Sequence, residues 1–334
     1  MSDSPHTIYW KNTYALSSNV TLSGYSRAAE NTGFYCKELE MAFDGGVQMN
    51  DRPAVICLTH LHNDHMCNLN KLLIENPKKP IVIIPDNDKF ATLLTQTLKL
   101  LYISSKFIHP ESAKGQNPAV TYPYALVKLA VGSSYKFKET VQGDYYAEGL
   151  PSEHGVTSVS FGIYQMRKRC KEEYRNLAPQ EYVQLKKDGI DITEHYKYPI
   201  VCYMSDTNSK PFDMIPASNI YSYNVIVMEC TFLEDVDLSQ AKKKNHIHWL
   251  QLIPIVKSHP EIKFILIHFS KKYTWKEVKE FFDIYQTTVE FIPNIVLWLQ
   301  TGIVDYSTKT KGASIESITP ASTENITPVS KVEV

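Results

Sequence analysis

Short apolar runs rich in valine and isoleucine alternate along this chain with stretches in which apolar residues recur every three or four positions. The runs at 39–44 (LEMAFD), 54–60 (AVICLTH), 80–85 (PIVIIP), 156–164 (VTSVSFGIY), 199–206 (PIVCYMSD), 224–232 (NVIVMECTF) and 263–270 (KFILIHFS) have the length and β-branched content of strands. Residues 65–76, 88–105, 246–259 and 274–286 carry the helical period instead. Strands alternating with helices predict an α/β protein whose sheets are covered by helices. Residues 167–198 interrupt the rhythm with dense charge, which predicts a helical excursion from the sheet. From about residue 307, Ser, Thr, Pro and Glu replace large apolar side chains, so 1–306 reads as one folded domain and 307–334 as a disordered tail. No internal repeat is visible.

Composition narrows the function. With 334 residues, 43% of them hydrophobic, the chain can bury a large core, and a formal net charge of -1 excludes a global basic field that would draw it onto nucleic acid. Any RNA contact has to come from local clusters such as RKR at 167–169, KK at 186–187 and KKK at 242–244. The N-terminus lacks a basic then apolar leader, and no apolar run reaches membrane-spanning length, which points to a soluble intracellular protein, cytoplasmic by expectation. Six cysteines lie far apart with no CxxC pair and read as reduced core residues.

The chemistry concentrates in THLHNDH at 59–65. It follows the apolar run AVIC, so His60 and His62, two apart on extended backbone, point to one side, while Asp64 and His65 turn into the next helix. Two imidazoles then converge on one point, and a carboxylate with a third imidazole on a neighbouring one. Such an arrangement suits two borderline-soft cations a few ångströms apart, zinc above all.

THLHNDH resembles the HxHxDH signature of the metallo-β-lactamase superfamily, and the likeness continues in order through FDGG at 43–46, His154, SDT at 205–207 and HFS at 268–270. GYSRAAENTGFY at 24–35, MECTF at 228–232, the Ala241–His246 loop and HFSKKY at 268–273 resemble the tRNase Z branch in its short form, endonucleases that remove 3' trailers from precursor tRNA. The likeness spans about residues 20 to 303.

It implies an αββα sandwich of two mixed sheets covered by helices. It also implies two zinc ions per chain, exchangeable for manganese, with His60, His62 and His154 on one, Asp64, His65 and His268 on the other, and Asp206 between them. Asp44 would orient a ligand histidine through its free ring nitrogen. Water activated by the metals would attack the phosphodiester, leaving a 3'-hydroxyl on the tRNA, with Asp64 as proton acceptor. His246 would stabilise and protonate the leaving oxygen, and Glu229 would hold its imidazole. The resemblance further implies a homodimer acting on precursor tRNA or another RNA, away from membranes.

The chain departs from that pattern in two places. Lys242, Lys243 and Lys244 stand where the loop usually carries an acidic residue, and Lys272 where arginine is usual. These cations would supply phosphate contacts beside the site. His248 offers an alternative to His246, but the spacing from Ala241 selects His246 and leaves His248 in the first turn of the following helix. Two other classes of function remain: another hydrolase on the same metal site, acting on lactams or small phosphodiesters, and an RNA-binding relative with little turnover.

Overall fold

The computed structural model describes residues 9–74, 76–106, 124–214 and 217–309. The first sheet runs in chain order: β1 (Thr13–Ser17), β2 (Val20–Arg27), β3 (Asn31–Cys36), β4 (Met41–Phe43), β5 (Val55–Cys57), β6 (Ile81–Pro85) and β7 (Ala125–Leu129). The second does the same: β8 (Ser134–Lys138), β9 (Asp144–Leu150), β10 (Ser160–Cys170), β11 (Thr193–Ser205), β12 (Val225–Glu229), β13 (Lys263–Ile267), β14 (Ile295–Leu299) and β15 (Gly302–Asp305). In each sheet the first four strands pair antiparallel and three parallel links follow. The topology therefore repeats where the sequence shows no repeat, because pairing rests on the alternation of inward and outward side chains and not on their identities.

Helices α1 (Asn63–Met66), α2 (Leu69–Ile74) and α3 (Asp88–Lys106) belong to the first half; α4 (Pro179–Lys187), α5 (Leu238–Lys244), α6 (Trp249–Ser258) and α7 (Trp275–Ile284) to the second. One core lies between the sheets, where Phe34, Phe43 and Cys57 meet Phe161, Tyr203 and Trp298. The outer face of the first sheet (Ala42, Ile56, Val82) packs on Leu69, Leu72, Phe90 and Leu94, and that of the second (Met204, Met228, Leu266) on Trp249, Leu252 and Phe282. Burial on both faces is why the parallel strands read as unbroken apolar runs. This is the αββα sandwich that the resemblance implies. No helix among the described residues is long and apolar enough to cross a membrane. All six cysteines are free, and Cys67, unlike the core positions Cys36, Cys57, Cys202 and Cys230, is exposed.

Residues 167–198 are not a helical excursion. Strands β10 and β11 continue as an antiparallel ribbon out to Cys170 opposite Thr193, and its tip carries only a 3-10 turn (Glu172–Tyr174) and the short α4, neither with a buried residue. Charged and aromatic side chains alternate on one ribbon face: Arg167 stacks on Tyr198 at 3.5 Å, and Arg169 lies over Tyr196 and pairs with Glu194 at 2.8 Å. A period of two written in arginines and tyrosines carries no hydropathy alternation, so it escapes a reading based on apolar spacing. Tyr306, the last residue of the expected domain, is buried and opens a 3-10 turn that takes in Ser307 and Thr308 of the expected tail, and 310–334 lie outside the described residues.

Candidate metal centre

Parallel strands deliver their ends to one edge of the sandwich, where a crevice is the natural binding position. Asp44 follows the last residue of β4, β5 leads into His60, β11 ends at Ser205 with Asp206 next, β12 ends at Glu229, and His268 follows β13. Three of these junctions turn through left-handed backbone at non-glycine residues: Asp44 (φ 56°), Ser205 (φ 53°) and His268 (φ 60°). Each costs about 1 kcal/mol or more and persists only where the surroundings fix it.

The structure gathers the predicted residues into two sets of donors. In the first, His62 Nδ1 lies 3.1 Å from His60 Nε2 and 3.1 Å from His154 Nε2, and both of those nitrogens are 3.8 Å from Asp206 Oδ2. In the second, His65 Nε2 and His268 Nε2 are 3.4 Å apart, at 3.7 Å and 3.4 Å from Asp64 Oδ2, and each 3.4 Å from Asp206 Oδ1. Donors held about 2.1 Å from a tetrahedral ion stand about 3.4 Å from one another, so both sets have the spacing of a coordination shell. Asp206 turns one oxygen to each set. Its Oδ1 is buried and has no hydrogen-bond partner, the condition of an atom awaiting a cation.

The outward ring nitrogens are fixed. His154 Nδ1 donates to the Asn245 carbonyl at 3.0 Å and His65 Nδ1 to Asp44 Oδ2 at 2.9 Å, which leaves lone pairs on the Nε2 atoms that face the centre. Asp44, fully buried, also accepts the Thr59 N–H and hydroxyl at 2.9 and 2.8 Å and the Tyr203 hydroxyl at 2.9 Å. On Asp64, Oδ2 receives the Ala29 N–H at 2.9 Å. The Asp64–His65 turn rests on Gly46: a Cβ there would stand 1.7 Å from the Asp64 carbonyl oxygen. Gly46→Ala is therefore expected to push Asp64 and His65 out of register and to lower the total bound metal per chain, which elemental analysis would measure.

A third set, His154, Asp206, Glu229 and His246, also lies within reach of a single ion, but its carboxylate is already engaged. Buried Glu229 accepts from His246 Nδ1 (2.9 Å), Thr207 N (2.7 Å), Ile247 N (3.2 Å) and the Thr231 hydroxyl. Helix α5 ends at Asn245 in the left-handed conformation that asparagine tolerates, and His246 N bonds back to the carbonyl of buried Ala241. That turn brings the His246 ring to 4.9 Å from His154 and 5.5 Å from His268, centroid to centroid. Burial opposes a charge on His246, but the adjoining Glu229 carboxylate outweighs it and raises the imidazole to about 9. His248 is spent elsewhere: it caps α6, accepting Leu250 N–H at 3.0 Å, and its Nε2 donates to the Glu234 carbonyl at 2.8 Å.

A cleft of about 570 Å³ opens over both sets, with Ala28 and Ala29 on one wall and His246, Lys244 and Gln240 on another. Of the three loop lysines only Lys244 lines it. Lys272 lines it too, yet its ammonium is held by Asp237 and by Glu234 (2.9 Å), and Asp237 also accepts the Tyr273 hydroxyl at 2.6 Å. Asp237, just ahead of α5, is thus a carboxylate on the cleft lining that neutralises Lys272. Sequence reading missed Thr59, Tyr203, Ser205 and Thr231 around the donors. A lone hydroxyl carries no spacing signal, and only the fold shows what it touches.

With this geometry in view, the chain can be set beside known proteins. No family model matches it. It is 25% identical over 266 residues to tRNase Z TRZ1 of Arabidopsis thaliana, covering 78% of this chain and 88% of the relative. It is 24% identical over 261 residues to Ribonuclease Z of Borrelia duttonii, covering 72% and 76%. The chain resembles the ribonuclease Z enzymes. Among solved structures, human tRNase Z, short form, aligns over 90% of this chain and 97% of its own with a TM-score of 0.45 at 14% identity, a likeness too loose to inform the site. The relatives are named tRNase Z and Ribonuclease Z, and the His/Asp cluster described above is able to hold a metal.

Proposed function

We propose that this protein is a zinc-dependent endoribonuclease that removes 3' trailers from precursor tRNA. The observation that carries the reading is the pairing of two coordination-shaped donor sets, joined through Asp206, with a histidine held by a buried carboxylate on the wall of the same cleft. His60, His62 and His154 would hold one zinc, and Asp64, His65 and His268 the other, with one Asp206 oxygen toward each; manganese would serve in exchange. When bound, the zinc ions make water acidic near neutrality and offset the charge of a phosphodiester.

The remaining steps belong to the side chains. Asp64, fixed by the Ala29 amide, is placed to take a proton from attacking water. Protonated His246 faces the cleft, where it can stabilise charge developing on the phosphate and release its proton to the leaving oxygen, while Glu229 keeps the Nδ1 proton in place. A lactam, whose tetrahedral oxyanion carries one charge, gives such a cation beside Lys244 less to do than a phosphodiester. The relatives named tRNase Z support tRNA as the substrate. The proposal includes a homodimer, which light scattering on the purified protein would detect.

A comparison of substrates tests the reading. The zinc-loaded protein should turn over a trailer-bearing precursor tRNA with a kcat/KM at least about a thousandfold above that for a β-lactam or a small phosphodiester, since remote contacts of the large substrate add to those at the reacting phosphate. Equal or better hydrolysis of the lactam would replace the reading with the other hydrolase class. Lys244→Ala should weaken RNA binding and lower its log-log salt slope by about 0.7 to 0.9, the scale of one phosphate contact. Lys242→Ala and Lys243→Ala, which lie outside the cleft, should change the slope less, as filter binding across a salt series would reveal.

A further inference from the structure

Thr231 has no part in the reading above, yet its hydroxyl stands where the two halves of the site meet. It is almost fully buried at 2% exposure, hydrogen-bonded to Glu229 Oε2, 3.2 Å from His268 Nδ1 and 3.0 Å from the His268 carbonyl oxygen. A hydroxyl has one proton to give and lone pairs to accept with. Of its neighbours, the anionic carboxylate is the strongest acceptor, and a bond to a charged group is about twice as strong as a neutral one. The proton therefore goes to Glu229, and the freed lone pair takes the Nδ1–H of His268. Nδ1 protonation leaves a lone pair on His268 Nε2, the atom that faces Asp64 Oδ2, His65 Nε2 and Asp206 Oδ1 at 3.4 Å each.

We propose that Thr231 is a positioning residue: it locks His268 in the Nδ1-protonated form and ties it to the same Glu229 carboxylate that orients His246. This rests on the dinuclear reading for its consequence at the metal, though not for the state of the ring. One buried carboxylate then sets the His268 donor and the phosphate-side imidazole together, so the two halves of the site share a single anchor. His65 achieves the same ring state directly on Asp44, and His154 on a backbone carbonyl. His268 has neither, and among the described contacts only Thr231 reaches its Nδ1.

The test has two readouts. In metal-free protein labelled with 15N-histidine, the His268 ring should be Nδ1-protonated in the wild type and in Thr231→Ser. It should move toward the Nε2-protonated form in Thr231→Val and in Thr231→Ala, the second variant serving if valine does not fold. In zinc titrations by calorimetry, the valine and alanine variants should bind the second ion about 10- to 100-fold more weakly while the first is little changed, and serine should restore it. Unchanged His268 nitrogen shifts together with wild-type affinity for the second zinc in the valine or alanine variant would overturn the proposal. If the wild type binds only one zinc, the dinuclear reading fails, and the ring state of His268 alone decides the role of Thr231.

Discussion

Asp206→Ala is expected to strip zinc from both positions at once and to lower hydrolysis by about a thousandfold or more, the rate equivalent of the several kcal/mol that metal ions contribute to a transition state. Asp206 offers Oδ2 to the His60, His62, His154 set at 3.8 Å and Oδ1 to His65 and His268 at 3.4 Å, so its loss removes a donor from each. The same substitution takes away the carboxylate that offsets four imidazoles gathered around it, so cations are left with histidine rings and Asp64 alone. His154→Ala removes a donor from the first set only and should leave close to one zinc per chain. Elemental analysis of the purified variants separates the outcomes. An Asp206→Ala protein that keeps two tightly bound ions would show that Asp206 does not join the sets.

His246→Ala should behave in the opposite way, keeping its metal and losing its rate. Its Nδ1 is committed to Glu229, and its ring stands beside both donor sets at the cleft wall, where a proton donor or a cation acts on the transition state and not on the metals. A fall in kcat of about a hundredfold or more, with RNA affinity nearly unchanged, is the scale expected for one positioned acid or oxyanion partner. His248→Ala is the control that geometry provides. That side chain caps α6 and bonds the Glu234 carbonyl, so its loss should cost about 1 kcal/mol of stability, read as a lowered midpoint in denaturant, and leave kcat close to wild type. Full activity in His246→Ala with loss in His248→Ala would mean that the loop is read two residues out of place.

These expectations show how far the sequence carries. His60, His62, Asp64 and His65 were legible because four donors follow a strand within six positions: extended backbone turns His60 and His62 to one side, and α1 then carries Asp64 and His65. His154, Asp206 and His268 were legible only through resemblance, since each arrives from a different strand end and no local pattern marks it. The parallel strands were clear as apolar runs buried on both faces. The opening strands β1 to β3 were not, because glycines and polar residues such as Ser23, Ser26 and Thr32 break their apolar period while the fold buries most of β2 and β3. The ribbon at 167–198 was misread because one of its faces pairs arginines of β10 with tyrosines of β11, a contact across strands that leaves no apolar alternation along either. Lys272 shows the limit for charge. In the sequence it is one more cation near the site, but the fold gives it Asp237 and Glu234, while Lys244 at the end of α5 and Lys271 also line the cleft.

Hydrolysis of a precursor tRNA by water activated at this centre, as proposed, is tested most directly by mapping the cut. Zinc-loaded protein is incubated with a trailer-bearing precursor tRNA, and both new ends are identified by end-labelling and mass spectrometry. One cut is expected at the base of the trailer, abolished by chelation, with a 3'-hydroxyl on the tRNA and a 5'-phosphate on the trailer, because attack by water does not enlist the RNA 2'-hydroxyl. A 2',3'-cyclic phosphate on the tRNA, or an intact RNA in the presence of two bound zinc ions, would contradict it.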